Sequence, residues 1–299
     1  MKRIISAAMT PFTDDGKLDL DSAARLYEFG ISAGLDGFFF PGTMGEWATM
    51  TQSERAELAK AACDIIGKRA RVLLSISDLG LASILENADR FSSFSHDAYV
   101  IVLPSGPGAP ADPVACLHKI ADNVDRPIYV YYVPGANNIR LTTAQFADLM
   151  AHPNIAGLKN SAGEIRTRKE LLVLKRTLPF ELYEGEEWAI DEALMLGCDG
   201  AIAGFGSVGA RLMTSLVAQF EAGDVAAAME SQRTLIDIYH RVFRPAVRWW
   251  CAGQKYALNY LGIIASDRCR LDGQQGLPEE ERADIRKCID QYREQITGS

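Results

Sequence analysis

The chain has 299 residues, of which 48% are hydrophobic and 23% charged, with a formal net charge of −8. This is the balance of a folded globular protein with a large core, which excludes a mainly disordered chain. The acidic surplus argues against long-range attraction to nucleic acid or an anionic membrane, so an anionic substrate needs a locally positive pocket.

Read in chain order, short apolar runs recur as candidate strands buried on both faces: Ile4–Met9, Gly37–Pro41, Val72–Ser77, Ala98–Leu103, Ile128–Val133, Ile155–Ser161, Glu181–Gly185 and Gly200–Gly204. Most intervening segments have helical periodicity. After the first run, Leu20, Ala24, Tyr27 and Ile31 share a face, and Gly34 is placed to end the helix. After the second, Thr51 and Glu54 have capping-box spacing ahead of Leu58, Ala62 and Ile65. Strand then helix, eight times, implies parallel pairing with right-handed crossovers; a closed (β/α)8 TIM barrel in the α/β class is expected, with a doubly wound open sheet as competitor. The turns Gly34-Leu35-Asp36-Gly37 and Gly197-Cys198-Asp199-Gly200 echo one another before the second and eighth runs. From Ala210 to Gly262 the pattern reads as helices interrupted near Gly223 and Pro245, and a last amphipathic helix opens at Pro278-Glu279. The expected division is a catalytic barrel over residues 1–222 and a C-terminal helical extension over 223–299.

Cys63, Cys116, Cys198, Cys251, Cys269 and Cys288 include no CxxC pair, and the four histidines form no HExxH pair, so neither a disulfide framework nor a metal site is expected. The N-terminal apolar stretch meets Thr10-Pro11 too soon for a signal peptide, and no run is long enough to span a membrane. A reduced, cytoplasmic protein is expected.

Lys159 stands near the C-terminal end of a run that a barrel would bury. Desolvation disfavours an ammonium there, and a neutral amine is a nucleophile toward a ketone carbonyl; the alternative is a lysine that snorkels outward or is salt-bridged. Tyr131 ends the preceding run, where its phenol can reach Lys159 and carry a proton, although the tyrosines crowding this strand also suit a core. Gly42-Thr43-Met44-Gly45-Glu46 follows the second run; its amides suit a carboxylate and Thr43 adds a hydroxyl, while a plain tight turn explains the glycines equally well. Glu186 and Glu187 follow the seventh run as solvated charges or as ligands for substrate hydroxyls. Gly204-Phe205-Gly206-Ser207-Val208-Gly209 fits GxGxxG, with Glu221 and Asp224 near the ribose-contact distance, but no second strand follows to complete a dinucleotide-binding unit.

At these residues the sequence resembles the dihydrodipicolinate synthase/N-acetylneuraminate lyase family. Gly42–Glu46 is similar to that family's G-[ST]-x-G-E loop, Tyr131-Tyr132-Val133-Pro134 to its Tyr-x-[Val/Ile]-Pro, and Gly157-Leu158-Lys159-Asn160-Ser161 to its G-x-K-[DE]-[ST], in the same order and spacing from Ile4 to about Gly262. The resemblance implies a class I lyase, an aldolase or dehydratase acting on pyruvate or a 2-keto-3-deoxy-acid-type 2-oxo acid. It also implies a homo-oligomer, often a homotetramer, with no metal or organic cofactor. Lys159 becomes the Schiff-base lysine and Tyr131 the proton-transfer group. Thr43 and the Met44 amide hold the 2-oxo-acid carboxylate, and Gly185 and Ile202 line the keto-acid site.

The departures bear on the substrate. Gly135-Ala136-Asn137 stands where dihydrodipicolinate synthases carry Ser-Arg-Thr, whose arginine grips a carboxylate. Pro104-Ser105-Gly106 replaces their Tyr-Tyr pair, and Met44 a frequent threonine, which weighs against dihydrodipicolinate synthesis as the activity. Trp188 replaces an acid that binds the sugar chain in sialic acid lyases, whereas Glu187 keeps the preceding acid. A smaller or less polar 2-oxo acid fits better, with Trp47 and Trp188 shaping the pocket. The reading from another class is a non-catalytic barrel that binds a keto acid.

Overall fold

The computed structural model describes residues 2–105, 109–243 and 250–298. The chain opens with β1 (Arg3–Ala7), α1 (Leu20–Ser32), β2 (Gly37–Phe40), α2 (Gln52–Ile66), β3 (Arg71–Ser75), α3 (Leu81–Phe91), β4 (Ala98–Ile101) and α4 (Pro113–Ala121). It continues through β5 (Ile128–Tyr132), α5 (Pro134–Asn137), α6 (Thr143–Met150), β6 (Ile155–Asn160), α7 (Ile165–Leu174), β7 (Glu181–Glu184), α8 (Ile190–Leu196) and β8 (Gly200–Ala203). Each strand pairs in parallel with the next, and β8 returns to β1 through Arg3↔Gly200 to Ser6↔Ala203, closing the barrel. All eight expected strands form. Each ends one or two residues before the apolar run does, and Val133, Ser161, Gly185 and Gly204, the last residues of their runs, line a cavity at the C-terminal mouth.

The helices are set by local chemistry. Asp19 caps α1 by accepting from the Ser22 amide at 2.9 Å, and the helix stops in a Schellman arrangement: Leu35 N–H to Gly30 C=O, Gly34 N–H to Ile31 C=O, with Gly34 at φ 86°. Its buried stripe is rotated from the one expected. Ala23, Leu26, Tyr27 and Gly30 are buried, whereas Leu20, Ala24 and Ile31 are only half-buried. Gly30 decides the rotation, since a Cβ there would lie 2.8 Å from both Leu35 and Phe38. Thr51 and Glu54 form the expected capping box of α2.

The echoed turns share a function. Asp36 and Asp199 each accept the first amide of the preceding strand's ladder, from Ile4 at 2.8 Å and Leu182 at 2.7 Å, and Asp97 does the same for Val72 at 2.7 Å. The N-terminal end of the barrel is filled by a polar cluster in which Glu181 binds Arg3 at 2.6 Å, Arg71 at 3.2 Å, and the hydroxyls of Tyr129 and Tyr183 at 2.5 and 2.8 Å.

After β8 come α9 (Ala210–Glu221), which packs on β1, and then α10 (Val225–Val242), α11 (Trp250–Tyr260), α12 (Glu279–Gln291) and α13 (Arg293–Thr297). The interruption expected near Gly223 is present, with Gly223 at φ 82°; the one near Pro245 lies outside the described residues. In α12 the first turn carries Glu279, Glu280 and Glu281, which suits the positive end of a helix, and Pro278 sits just before it. Helix α10 packs against α9, α11 and α12. Among the described residues, no helix is long and apolar enough to cross a membrane.

Candidate active site

Strands β5 and β6 pair with Tyr131 opposite Lys159, and β6 pairs with β7 with Lys159 opposite Tyr183. Side-chain alternation points Lys159 into the barrel near its C-terminal mouth, where catalytic groups of this architecture gather. It lines a cavity of about 190 Å³ together with Phe39, Thr43, Met44, Tyr131, Ser161, Gly185, Glu186 and Glu187. Only 3% of Lys159 is exposed, and no hydrogen bond or ion pair involves its amine among the described residues. It therefore neither snorkels nor forms a salt bridge. Instead Nζ lies 4.1 Å from the centre of the Tyr131 ring and 5.6 Å from that of Phe39, an aromatic cradle open to the cavity.

The loop after β2 folds back on itself: the amides of Gly45 and Trp47 bond to the Gly42 carbonyl and that of Glu46 to Thr43. The amides of Thr43 and Met44 have no acceptor among the described residues, and both residues line the cavity. Two adjacent uncommitted N–H groups at a cavity wall are a carboxylate-binding device. Glu46 holds this loop from behind. It adopts φ 57°, and its carboxylate accepts from Lys255 Nζ at 2.6 Å and from the amides of Arg270 and Leu271 at 2.7 and 2.8 Å. Cys251 and Cys269 place sulfurs within 4.8 Å of a Glu46 oxygen, a geometry some metals accept. Both Glu46 oxygens are already engaged, so the cluster is better described as a buried ion pair beside two thiols.

Gly185 borders the cavity where any side chain would collide: a Cβ would fall 1.9 Å from Ser161 Oγ, 2.9 Å from the Asn160 carbonyl and 3.1 Å from Lys159 Cε. Its position is fixed by Glu184, whose carboxylate accepts from the amides of Gly185 and Glu186, both at 3.0 Å, and from Arg168 at 2.6 Å. Burial pushes the Glu184 carboxyl up to about 7, against the pull of Arg168 and the two amides. Glu187 is buried, accepts from the Phe205 amide at 2.8 Å, and is raised from its ordinary range by burial. The Glu186 carboxyl is raised too, by burial, with the Lys159 charge opposing, yet it has no partner of its own among the described residues.

Ile202 departs from its expected place. It is fully buried on β8 and does not line the cavity; Gly204, two residues on and on the same face, does. Ile202 lies one layer deeper, in register with Ile5. The tryptophans are also elsewhere. Trp47 lies under the Arg55 guanidinium at 4.8 Å, and Trp188 is 42% exposed and packs edge-on against Tyr239 and His240. Besides Phe39 and Tyr131, the aromatic lining comes from Tyr239 and from Phe243, just beyond the end of α10, neither of which the sequence singled out. Ser161, another lining residue, has a buried hydroxyl without a hydrogen-bond partner among the described residues. In Pro104-Ser105-Gly106, Ser105 is exposed and Gly106 lies outside the described residues.

Packing explains the GxGxxG segment. Gly204 lies under Met44, a Cβ on Gly206 would meet Ser6 at 2.8 Å, and one on Gly209 would meet the Phe205 ring at 2.9 Å. Asp224 caps α10, and Glu221 accepts from the Lys2 amide. Neither is set for a ribose.

Comparison with known proteins places this geometry in context. Among curated proteins, the chain is 30% identical over 244 residues to 4-hydroxy-tetrahydrodipicolinate synthase 2 of Streptomyces coelicolor, covering 81% of this chain and 80% of that one. It is 26% identical over 294 residues to 4-hydroxy-tetrahydrodipicolinate synthase of Gluconacetobacter diazotrophicus, covering 96% of each. Among solved structures it superposes with TM-score 0.89 and 26% identity on YagE, a prophage protein of the dihydrodipicolinic acid synthase family from E. coli K12, in complex with pyruvate; the match covers 98% of this chain and 99% of that one. The sequence profile of the dihydrodipicolinate synthetase family matches residues 1–292. The chain belongs to the dihydrodipicolinate synthetase family.

Proposed function

We propose that Lys159 is the amine through which this class I lyase binds its substrate, pyruvate or a 2-keto-3-deoxy-acid-type 2-oxo acid. The supporting observation is the amine itself: buried, unpaired, held between two aromatic rings and open to a cavity. The uncommitted amides of Thr43 and Met44 take the carboxylate, and Tyr131 moves the proton as carbinolamine gives way to iminium. The iminium then accepts the electron pair of the bond broken alpha to it, so the protein has only to position and protonate. Residues 1–222 carry this chemistry, and residues 223–299 cover it through Tyr239 and Phe243.

The names of the curated relatives favour a second reading, 4-hydroxy-tetrahydrodipicolinate synthesis. Against it, the segment that would supply a carboxylate-gripping arginine is Gly135-Ala136-Asn137, and Arg140, the next guanidinium along the chain, is exposed and paired with Glu164 at 2.7 Å. The chain is also read as a cytoplasmic homo-oligomer. The described cysteines are all free thiols, and Leu79 at 74% and Val173 at 63% exposure leave large apolar side chains to be covered.

Borohydride reduction with pyruvate, followed by intact mass and peptide mapping, tests the assignment. A single adduct on Lys159, absent in Lys159→Ala, is expected. No adduct, under conditions that label another lyase of the family, would leave the non-catalytic keto-acid-binding reading.

A further inference from the structure

The cavity contains an acid that the Schiff-base chemistry above does not use. Three glutamates follow one another at the end of β7, and their side chains have separate fates. Glu184 is bound by Arg168 and two amides, and Glu187 by the Phe205 amide. Glu186 lines the cavity, is only half-buried, and its carboxylate forms no hydrogen bond or ion pair among the described residues. An acid left uncommitted while its neighbours are tied down is available to a ligand. Its backbone is not loose, since the amides of Gly185 and Glu186 are both pinned to the Glu184 carboxylate. Position 185 in turn runs close beside the Lys159 stem, since an added Cβ there would lie 3.1 Å from Lys159 Cε. Glu186 is thus one residue from the point where β7 meets the reactive amine.

We propose that Glu186 is a catalytic residue that moves the proton on the C4 oxygen of a 4-hydroxy-2-oxo acid held as an iminium on Lys159. The inference rests on the Schiff-base reading and extends it to the second bond. With the carboxyl fixed by Thr43 and Met44 and C2 joined to Lys159, carbons 3 and 4 are the next atoms to be accommodated in the cavity. In carbon–carbon cleavage, the Glu186 carboxylate takes the C4 hydroxyl proton. The O–H electron pair becomes the second C4–O bond, the C3–C4 bond breaks, and its pair forms the C2–C3 double bond of the enamine as the iminium nitrogen is neutralised. In loss of water, Tyr131, having given its proton to the carbinolamine, first takes one from C3, and the C3–H pair forms the C2–C3 double bond of the enamine as the iminium nitrogen is neutralised. The acid form of Glu186 then gives its proton to the C4 oxygen as the C4–O bond breaks. The enamine pair becomes the C3–C4 double bond and the iminium is restored. Both courses balance without any further reactant, and both use the same carboxyl at the same atom. Burial favours its acid form, and the charges of Lys159 and Arg168 oppose it.

The test uses the full-length enzyme, pyruvate as the adduct probe, and 4-hydroxy-2-oxobutyrate and 2-keto-3-deoxygluconate as turnover probes. Glu186→Gln is expected to trap pyruvate on Lys159 as wild type does, while kcat on the better turnover probe falls by about 100-fold or more. The limb of the kcat–pH profile that reports this acid should vanish in Glu186→Gln and return, shifted, in Glu186→Asp. Retention of kcat within about threefold in Glu186→Gln, or no wild-type turnover of either probe despite a pyruvate adduct, overturns the role of Glu186 while leaving the Schiff base standing. Absence of the pyruvate adduct in wild type overturns the Schiff-base reading first and this one with it.

Discussion

Lys255 and Glu46 meet at 2.6 Å with both side chains wholly buried, 209 positions apart in the chain. The pair joins α11 to the loop whose Thr43 and Met44 amides face the cavity, and Nζ also donates to the Arg268 carbonyl and lies 4.2 Å from the centre of the Phe12 ring. Removing one partner of such a pair strands the other charge in a dry interior, typically at about 3–5 kcal/mol. Lys255→Met should therefore lose roughly that much stability, read by denaturant unfolding, and weaken capture of pyruvate by Lys159. A loss below about 1 kcal/mol would show that water or a neighbour satisfies Glu46.

Tyr131→Phe separates chemistry from packing. The Tyr131 ring flanks Lys159 and meets Phe39 edge-on, but its hydroxyl bonds to nothing among the described residues. Deleting the hydroxyl should leave the unfolding midpoint nearly unchanged, while kcat falls by about 100- to 10,000-fold. Unaltered turnover would remove Tyr131 from the mechanism.

At Gly185 the constraint is steric. Gly185→Ala drives a methyl into Ser161 Oγ and the Asn160 carbonyl, and overpacking of this kind costs about 1–3 kcal/mol. Borohydride trapping on Lys159 should slow in step. The double variant with Ser161→Ala relieves the 1.9 Å clash but not the 2.9 Å one with backbone, so it should recover stability only in part. Full recovery, or no loss in the single variant, would refute the close fit.

The cluster at the opposite end of the barrel carries a pH signature. Burial works to raise the Glu181 carboxyl, but the hydroxyls of Tyr129 and Tyr183, Arg3 and Arg71 outweigh it and hold it at about 2, below the ordinary 4.5. The folded state therefore binds fewer protons than the unfolded chain between those values, so the stabilisation is full above about 4.5 and is lost as pH falls through about 2. Glu181→Gln should be less stable than wild type near neutral pH, with the gap closing toward pH 2 in denaturant titrations. A gap constant across that window would mean that Glu181 contributes by packing alone.

The barrel was legible because each strand is buried on both faces and so reads as an apolar run bounded by turns. The Asp36 and Asp199 turns were legible even as a repeat, because a glycine with positive φ and a strand-tethering aspartate leave a mark in four residues. Lys159 and Tyr131 stood out because a polar group at the end of such a run breaks its pattern. Lys255 did not, since a single lysine in a helix reads as solvated; nothing local reveals that the residues around it, Cys251 through Leu258, are all buried. Tyr239 and Phe243 were missed for a related reason. They lie at the end of an amphipathic helix, where aromatics ordinarily mean core, and only the packing of α10 over the barrel mouth brings them to the cavity. Ile202 failed by one layer: its face of β8 was right, but the cavity floor is set by Met44 lying over Gly204.

Because Tyr239 and Phe243 contribute to the cavity from outside the strand ladder, substitution at these positions breaks no bond that closes the barrel. The cavity wall is thus drawn from two separate stretches of the chain, the strand ends with their loops and the end of α10. A change in that one helical turn would reshape the cavity while leaving Lys159, Tyr131 and the Thr43–Met44 loop in place.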